Sequence, residues 1–249
     1  MARRRRNRRN NRGRFAFLYR LLTFVLICGA IVAALALFFK IETIEVSGAQ
    51  RYSRQEIVDA SGVSEGDNLF LMDKYEVAGR IRSALSYVET VQITRLLPST
   101  LRISVTECRD TMALEQDDVL WLIAGTGKIV DTVTPGTATF PAITGLKLTD
   151  PVIGETIRSS EDAAHCAVVL DLLQRLREKE MLGDVQAIHA EDPAIVTLRY
   201  LDRFDVQIPW DADMDYKLNY LLAVVERLEN NVTGTINMTP ADRVHYIPG

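Results

Sequence analysis

The chain has 249 residues, 47% of them hydrophobic and 25% charged, enough apolar material for one or two domains with buried cores, which excludes an intrinsically disordered chain. Its formal net charge of −4 hides a polarised layout. Nine arginines (Arg3, Arg4, Arg5, Arg6, Arg8, Arg9, Arg12, Arg14 and Arg20) precede the first acidic residue, Glu42, and of the 29 basic residues only 20 remain after Arg20 to face 33 acidic ones. This asymmetry describes a basic arm, residues 1–20, joined to an acidic body.

Residues 21–39 form a 19-residue run without a charge. As a helix rising about 1.5 Å per residue it reaches roughly 28 Å, the thickness of a bilayer's hydrocarbon core, and it is expected to cross the membrane. The arginines place the N-terminus in the cytoplasm and everything after Lys40 outside, and they can also contact anionic lipid. Ala34-Leu35-Ala36 has the small-x-small form of a signal-peptide cleavage site, but the apolar run is longer than such a leader and continues through Leu37, Phe38 and Phe39.

Residues 41–108 predict a βααββ unit. A strand over Ile41–Val46 stops at Gly48. Ser53 and Glu56 have capping-box spacing at the start of a short helix, and Asp73 with Glu76 repeats the acidic variant before Val77, Ile81 and Leu85 recur on one helical face. Two alternating strands follow, through Val91 and Ile93 and then Leu101, Ile103 and Val105, separated by a turn at Pro98-Ser99. Gly62-Val63-Ser64-Glu65-Gly66 matches the Gly-x-Ser-x-Gly nucleophile elbow, but that motif needs a strand before and a helix after, and here a helix precedes it. Ser64 is therefore read as a loop residue.

The body over 109–249 reads as β-rich with packed amphipathic helices, so the whole is α+β. Short strands and turns fill Thr111–Ile143, with a hairpin of Val119–Ile123 and Lys128–Val133 around Gly125-Thr126-Gly127. The Gly-x-Gly-Lys fragment there lacks the spacing and hydroxyl of a phosphate loop. A helix from near Ser160 to Glu180 carries Val169, Leu172, Leu173 and Leu176 on one face; strands are expected at Ala187–His189, Ile195–Tyr200 and Phe204–Ile208. A second helix, Asp213–Asn230, puts Leu218, Leu221, Leu222 and Val225 on one face, and Thr235–Met238 and Arg243–Ile247 read as terminal strands.

No pattern for chemistry emerges. His165, His189 and His245 stand apart without zinc spacing, no Ser-x-x-Lys pair occurs, and the adjacent acids Asp117-Asp118 and Asp211, Asp213 and Asp215 suit turns and helix caps. No catalytic residue, metal, cofactor or small-molecule substrate is expected, and no nucleic acid partner is assigned to the arginine arm. Of three cysteines, Cys28, Cys108 and Cys166, the last lies in a helical apolar pattern and reads as a buried free thiol; pairing with Cys108 outside the cytoplasm is the alternative.

The order basic arm, single span, βααββ unit and larger β domain resembles the bacterial cell division family FtsQ/DivIB, in its Gram-positive type, whose first external module is a POTRA domain. Ile44-Glu45-Val46-Ser47-Gly48 looks like the family's opening strand, and Leu97 to Glu107 looks like its Pro-x-Thr-Leu … Val-x-Glu hairpin strand. Lys217-Leu218, Gly234 to Met238, and Val244 to Pro248 are similar to its closing segments. Two departures stand out: Glu107-Cys108-Arg109-Asp110-Thr111-Met112-Ala113 lacks the family's proline, and Asn237 replaces a common aspartate.

The resemblance implies a non-enzymatic septal scaffold of the divisome, a single-pass protein of the cytoplasmic membrane. Its implied partners are other division proteins: a coiled-coil pair of the FtsB/DivIC and FtsL type and a septal penicillin-binding protein, beside the lipid bilayer itself. Family members use the last strands and second helix of the β domain for the coiled-coil pair. An exposed terminal strand can accept a partner strand; with Arg243–Ile247 or its neighbour Thr235–Met238 as that edge, Thr235, Ile236, Met238, Val244, Tyr246 and Ile247 are the candidate partner-binding residues, and Tyr246 is the aromatic anchor. Core packing is the competing role for Ile236, Val244 and Tyr246. A membrane-anchored extracytoplasmic hydrolase and a POTRA-bearing transport or secretion component are the rival functions; the first lacks a catalytic motif and the second a barrel's strand series.

Overall fold

The computed structural model describes residues 12–229, 231–240 and 244–249, and of residues 12–17 and 35–37 the backbone alone. Arg3, Arg4, Arg5, Arg6, Arg8, Arg9, Asn230 and Arg243 thus lie outside the described residues. The first helix, α1, runs Arg12–Phe38. It begins well before the expected span at Leu21, takes in Arg12, Arg14 and Arg20, and leaves Phe39 outside. Among the described residues, no helix is long and apolar enough to cross a membrane.

A compact βααββ unit follows: β1 Thr43–Ser47, α2 Arg54–Ser61, α3 Lys74–Ala84, β2 Val88–Leu96 and β3 Thr100–Glu107. The strand order is β1-β3-β2, with β1 parallel and β2 antiparallel to β3. Local chemistry explains the helix starts. The Ser53 hydroxyl accepts the Glu56 N–H at 3.2 Å while the Glu56 carboxylate accepts the Ser53 N–H at 2.8 Å, a complete capping box. That pairing holds the Glu56 carboxyl below its ordinary range. Asp73 accepts the Tyr75 N–H at 2.8 Å and starts α3. Both helices bury their apolar stripes on the sheet, where Ile44, Ile57, Leu69, Val77, Ile81, Leu101 and Ile103 form one core.

Two residues close this unit at its far end. Gly48 has φ +87, and a Cβ there would lie 2.0 Å from the Val105 carbonyl oxygen, so only glycine fits where β1 turns away from β3. The Glu107 carboxylate accepts backbone N–H groups of Gln50, Arg51 and Tyr52 at 3.0, 2.8 and 3.2 Å. The Gly62 to Gly66 segment is a turn after α2, with Ser64 exposed, and lacks the strand-turn-helix geometry of a nucleophile elbow.

The larger unit comprises β4 Thr111–Gln116, β5 Val119–Ala124, β6 Ile129–Val133, β7 Ala142–Thr144, α4 Ala163–Glu178, β8 Val185–His189, β9 Ile195–Tyr200, β10 Phe204–Pro209, α5 Met214–Val225, β11 Gly234–Asn237 and β12 His245–Pro248. They build one nine-stranded mixed sheet ordered β12-β11-β10-β9-β8-β7-β4-β5-β6, with β4/β7, β7/β8 and β10/β11 parallel. Leu172, Leu173 and Leu176 of α4 and Leu218 and Leu221 of α5 share its core.

Several bounds differ from the sequence reading. α4 starts at Ala163, because Ser160 is engaged with Thr149, whose hydroxyl accepts the Ser160 N–H at 2.8 Å. α5 ends at Val225. Its buried face is Met214, Lys217, Leu218 and Leu221, while Leu222 is exposed because it lies about 100° round the helix from Leu221. The three cysteines are free; Cys166 is buried, and burial pushes its thiol and that of Cys108 up.

The two units meet along a short linker, Cys108 to Asp110. Tyr87 is the keystone, only 6% exposed and packed with Ala113, Leu122, Ala124 and Val130. Its hydroxyl donates to Asp131 at 3.0 Å, and the Arg51 guanidinium lies 3.6 Å over its ring. Lys128, of the Gly-x-Gly-Lys fragment, donates to the Arg82 carbonyl at 2.9 Å, and Arg177 of α4 pairs with Glu89 of β2.

Burial and the Asp131 contact push the Tyr87 phenol from an ordinary 10.0 up to about 12. The unfolded chain ionises there first, so the stability Tyr87 adds is complete below about pH 10 and is lost as pH rises toward about 12. Tyr87→Phe is expected to cost roughly 1 kcal/mol at neutral pH. That deficit should shrink in denaturant unfolding of residues 41–249 repeated across this alkaline window.

Candidate partner-binding edge

The terminal strands are assembled by a crossover. β10 leads into α5, which packs on the sheet and returns the chain as β11, parallel to β10. Asn237 then ends β11: its side-chain oxygen accepts the Thr239 N–H at 2.8 Å and the Thr239 hydroxyl at 2.6 Å. An amide oxygen accepts these bonds as a carboxylate would, so the departure from aspartate leaves the turn intact. β12 comes back antiparallel to β11, pairing Thr235 with Ile247 and Ile236 with Tyr246.

The approach to β12 is held from below by Lys217. This lysine is buried in α5, and its ammonium donates to the carbonyls of Met238 at 2.8 Å and Pro240 at 3.0 Å. Sequence reasoning gave it no role beyond resemblance. The signal was available in its placement: a charge on the apolar face of an amphipathic helix must find partners when it is buried. On the outer side of α5, Tyr216 and Tyr220 are exposed, with ring centroids 6.2 Å apart. Nearby, the hydrogen bond from Lys179 holds the Asp215 carboxyl below its usual range.

The six candidate residues separate into three groups. Ile236 and Met238 are fully buried in the core, and β11, lying between β10 and β12, is not an edge. The reading of Thr235–Met238 as the exposed strand is therefore corrected: the parallel β10/β11 pairing places it inside the sheet, with Thr235 half-buried. Val244 and Tyr246 are half-buried against the core; the Tyr246 hydroxyl donates to the Thr233 carbonyl at 2.8 Å and its ring meets Phe204 edge-on at 6.5 Å. Ile247 is 54% exposed on the opposite, polar face.

The backbone of β12 is the accessible feature. Gly249 donates its N–H to the Thr233 carbonyl at 3.0 Å. Antiparallel alternation then turns the backbone groups of His245 and Ile247 toward β11, and those of Val244, Tyr246 and Pro248 outward. Pro248 has no N–H to offer, which shortens the free edge at one end. The opposite edge is different: at β6, Ile129 bonds Glu155 and Gly154 of the passing segment, both at 2.8 Å. Gly234, with φ +150, admits the close β11/β12 pairing, since a Cβ there would lie 2.2 Å from the Ile247 carbonyl oxygen.

Among the described residues no three His, Cys, Asp or Glu side chains are grouped to hold a metal. His165 stacks on Trp210 with centroids 4.3 Å apart, and His189 bonds the Thr144 hydroxyl at 2.9 Å. A cleft of about 590 Å³ lies beside the junction, but the carboxylate lining it, Glu107, already accepts three N–H groups.

A βααββ unit packed beside a larger mixed sheet is the architecture of a POTRA-bearing protein. The pattern of the POTRA domain, FtsQ-type, matches residues 39–107. The cell division protein FtsQ of Geotalea daltonii is 30% identical over 200 residues, covering 79% of this chain and 70% of that one. FtsQ of Corynebacterium glutamicum is 28% identical over 181 residues, 72% of this chain and 76% of that one. DivIB of Bacillus subtilis is 32% identical over 101 residues, 40% and 38% of the two chains. The chain belongs to the FtsQ/DivIB family of cell division proteins.

Lys217→Met keeps the helix and its stem but leaves two carbonyls without a donor. It is expected to lower stability by about 1–3 kcal/mol. In hydrogen exchange the amides of His245 and Ile247 should lose protection before those of β9 and β10.

Proposed function

We propose that the chain is a non-enzymatic scaffold of the division septum that holds other bitopic division proteins outside the cytoplasmic membrane. In this reading residues 1–20 are a cytoplasmic arm, 21–39 the span, 41–108 the POTRA domain and 109–249 the β domain with the partner-binding strand. The observation that carries it is the edge position of β12 in the sheet, with Tyr216 and Tyr220 exposed on α5. A strand added to β12 would satisfy the outward groups of Val244 and Tyr246 and lay alternate side chains against Ile247. A coiled-coil pair of the FtsB/DivIC and FtsL type is the proposed occupant, with a septal penicillin-binding protein recruited to the same assembly. The relatives' names as division proteins support this reading.

The anchor is α1. Its described side chains over residues 18–34 are exposed nearly all round, including Leu22, Phe24, Leu26 and Val32, which suits lipid rather than a protein core. The Thr23 hydroxyl in that stretch donates back to the Tyr19 carbonyl at 2.7 Å and needs no outside partner. The arginines before it set the N-terminus inside.

Ile247→Glu, at an exposed position, should leave folding unchanged and weaken binding of the partner pair about tenfold or more in calorimetry, roughly 1.4 kcal/mol. Unchanged affinity would take β12 out of the interface. In growing cells a fluorescent protein fused to the N-terminus should gather in a band at midcell; uniform membrane fluorescence through constriction, with the fusion functional, would sink the scaffold reading.

A further inference from the structure

Only four residues, 39–42, separate α1 from β1, and each is tied down. The Phe39 carbonyl accepts the Leu69 N–H at 2.9 Å, and the Phe39 ring meets Phe70 edge-on with centroids 5.0 Å apart. Lys40 bridges Asn68 and Ile41 donates to the Asp67 carbonyl at 2.7 Å. On the other flank the Ser99 carbonyl accepts the N–H of Glu42 at 2.8 Å. The loop 66–72 and the β2–β3 turn are therefore fixed beside the chain where α1 ends.

These two loops and the first turn of α3 carry all the exposed large hydrophobic residues of the unit over residues 41–107: Phe70, Leu71, Tyr75 and Leu97, of which Leu71 is 78% and Leu97 60% exposed. Basic groups stand among them. Lys40 and Lys74 are exposed, the Lys74 ammonium lies 5.0 Å over the Tyr75 ring, and the Arg95 guanidinium lies 6.0 Å over Phe70. Of the acids nearby, Glu42 accepts the Ser99 hydroxyl, Asp67 the Ser64 N–H and Asp73 the Tyr75 N–H, each at 2.8 Å. Apolar tips ringed by ammonium and guanidinium groups match the interface of an anionic phospholipid leaflet.

We propose that this end of the POTRA domain is a membrane-seating surface: Leu71, Phe70 and Leu97 enter the outer leaflet's interfacial zone while the exposed Lys40 and Lys74 meet lipid phosphates. The inference rests on α1 being the membrane span. Given that span, the short, bonded connection leaves these loops nowhere to stand but at the bilayer surface. Seating makes the span and the POTRA domain one body, so that the domain's outer surfaces are presented at a fixed height and angle to partners in the same membrane.

The test uses the full chain in vesicles of phosphatidylethanolamine and phosphatidylglycerol, with Cys108 and Cys166 replaced by serine. A polarity-sensitive fluorophore is attached in turn to the native Cys28 and, with Cys28→Ser added, to Leu71→Cys, Leu97→Cys and the exposed α4 position Gln174→Cys. Spin-labelled phospholipids serve as quenchers. The expected result is loss of emission at Cys28 with deep quenchers, blue-shifted emission and loss at Leu71→Cys and Leu97→Cys with shallow quenchers, and no loss at Gln174→Cys. Quenching at Cys28 without any at positions 71 and 97 overturns the seating surface and leaves the span standing. An unquenched Cys28 overturns the span and the seating surface together.

Discussion

Every open β-sheet ends in two strands whose outer N–H and C=O groups have no partner, and how a chain disposes of those edges decides what it can bind. Here the large sheet is asymmetric. The start of β6 is covered by the segment carrying Gly154 and Glu155, whereas among the described residues β12 has no strand beyond it and is blunted by Pro248. In the POTRA domain, Arg54 reaches over β1 and donates to the outward Ile44 carbonyl at 2.7 Å. The edge at β12 is the one the proposed partner strand would use.

An open edge is useful only if it is held still. β12 depends on a chain of supports: the α5 crossover seats β11 in the sheet, Lys217 holds the carbonyls of Met238 and Pro240, and the Tyr246 hydroxyl is bonded to Thr233. These groups act on the strand's position rather than on a ligand. They also explain why Tyr246 serves the fold: its ring is packed on Phe204 and its hydroxyl is bonded to Thr233.

The same economy marks the junction between the two units. The linker of three residues would permit swinging, but Tyr87, Lys128 and the Arg177–Glu89 pair cross it, and Glu107 gathers three amides at the point where the POTRA domain ends. In the sequence Lys128 stands beside a pair of glycines and Glu107 ends a strand motif. Their work is done by contacts with residues far away in sequence.

Local chemistry was legible from the amino acids alone. Ser53 and Glu56, Asp73, Gly48, the alternation of β2 and β3, and the spacing of Leu172, Leu173 and Leu176 act within a turn or a strand, so residue type and interval suffice to read them. The charge-free run before Lys40 and the arginines before it likewise need no fold to be recognised. Pairing partners are different, because a strand's neighbours are set by packing across the whole core rather than by its own pattern. Tertiary structure alone decided that β11 runs parallel to β10 and is interior, that β12 is the edge, that Leu222 faces solvent while Lys217 is buried, and that Tyr87 locks two domains together.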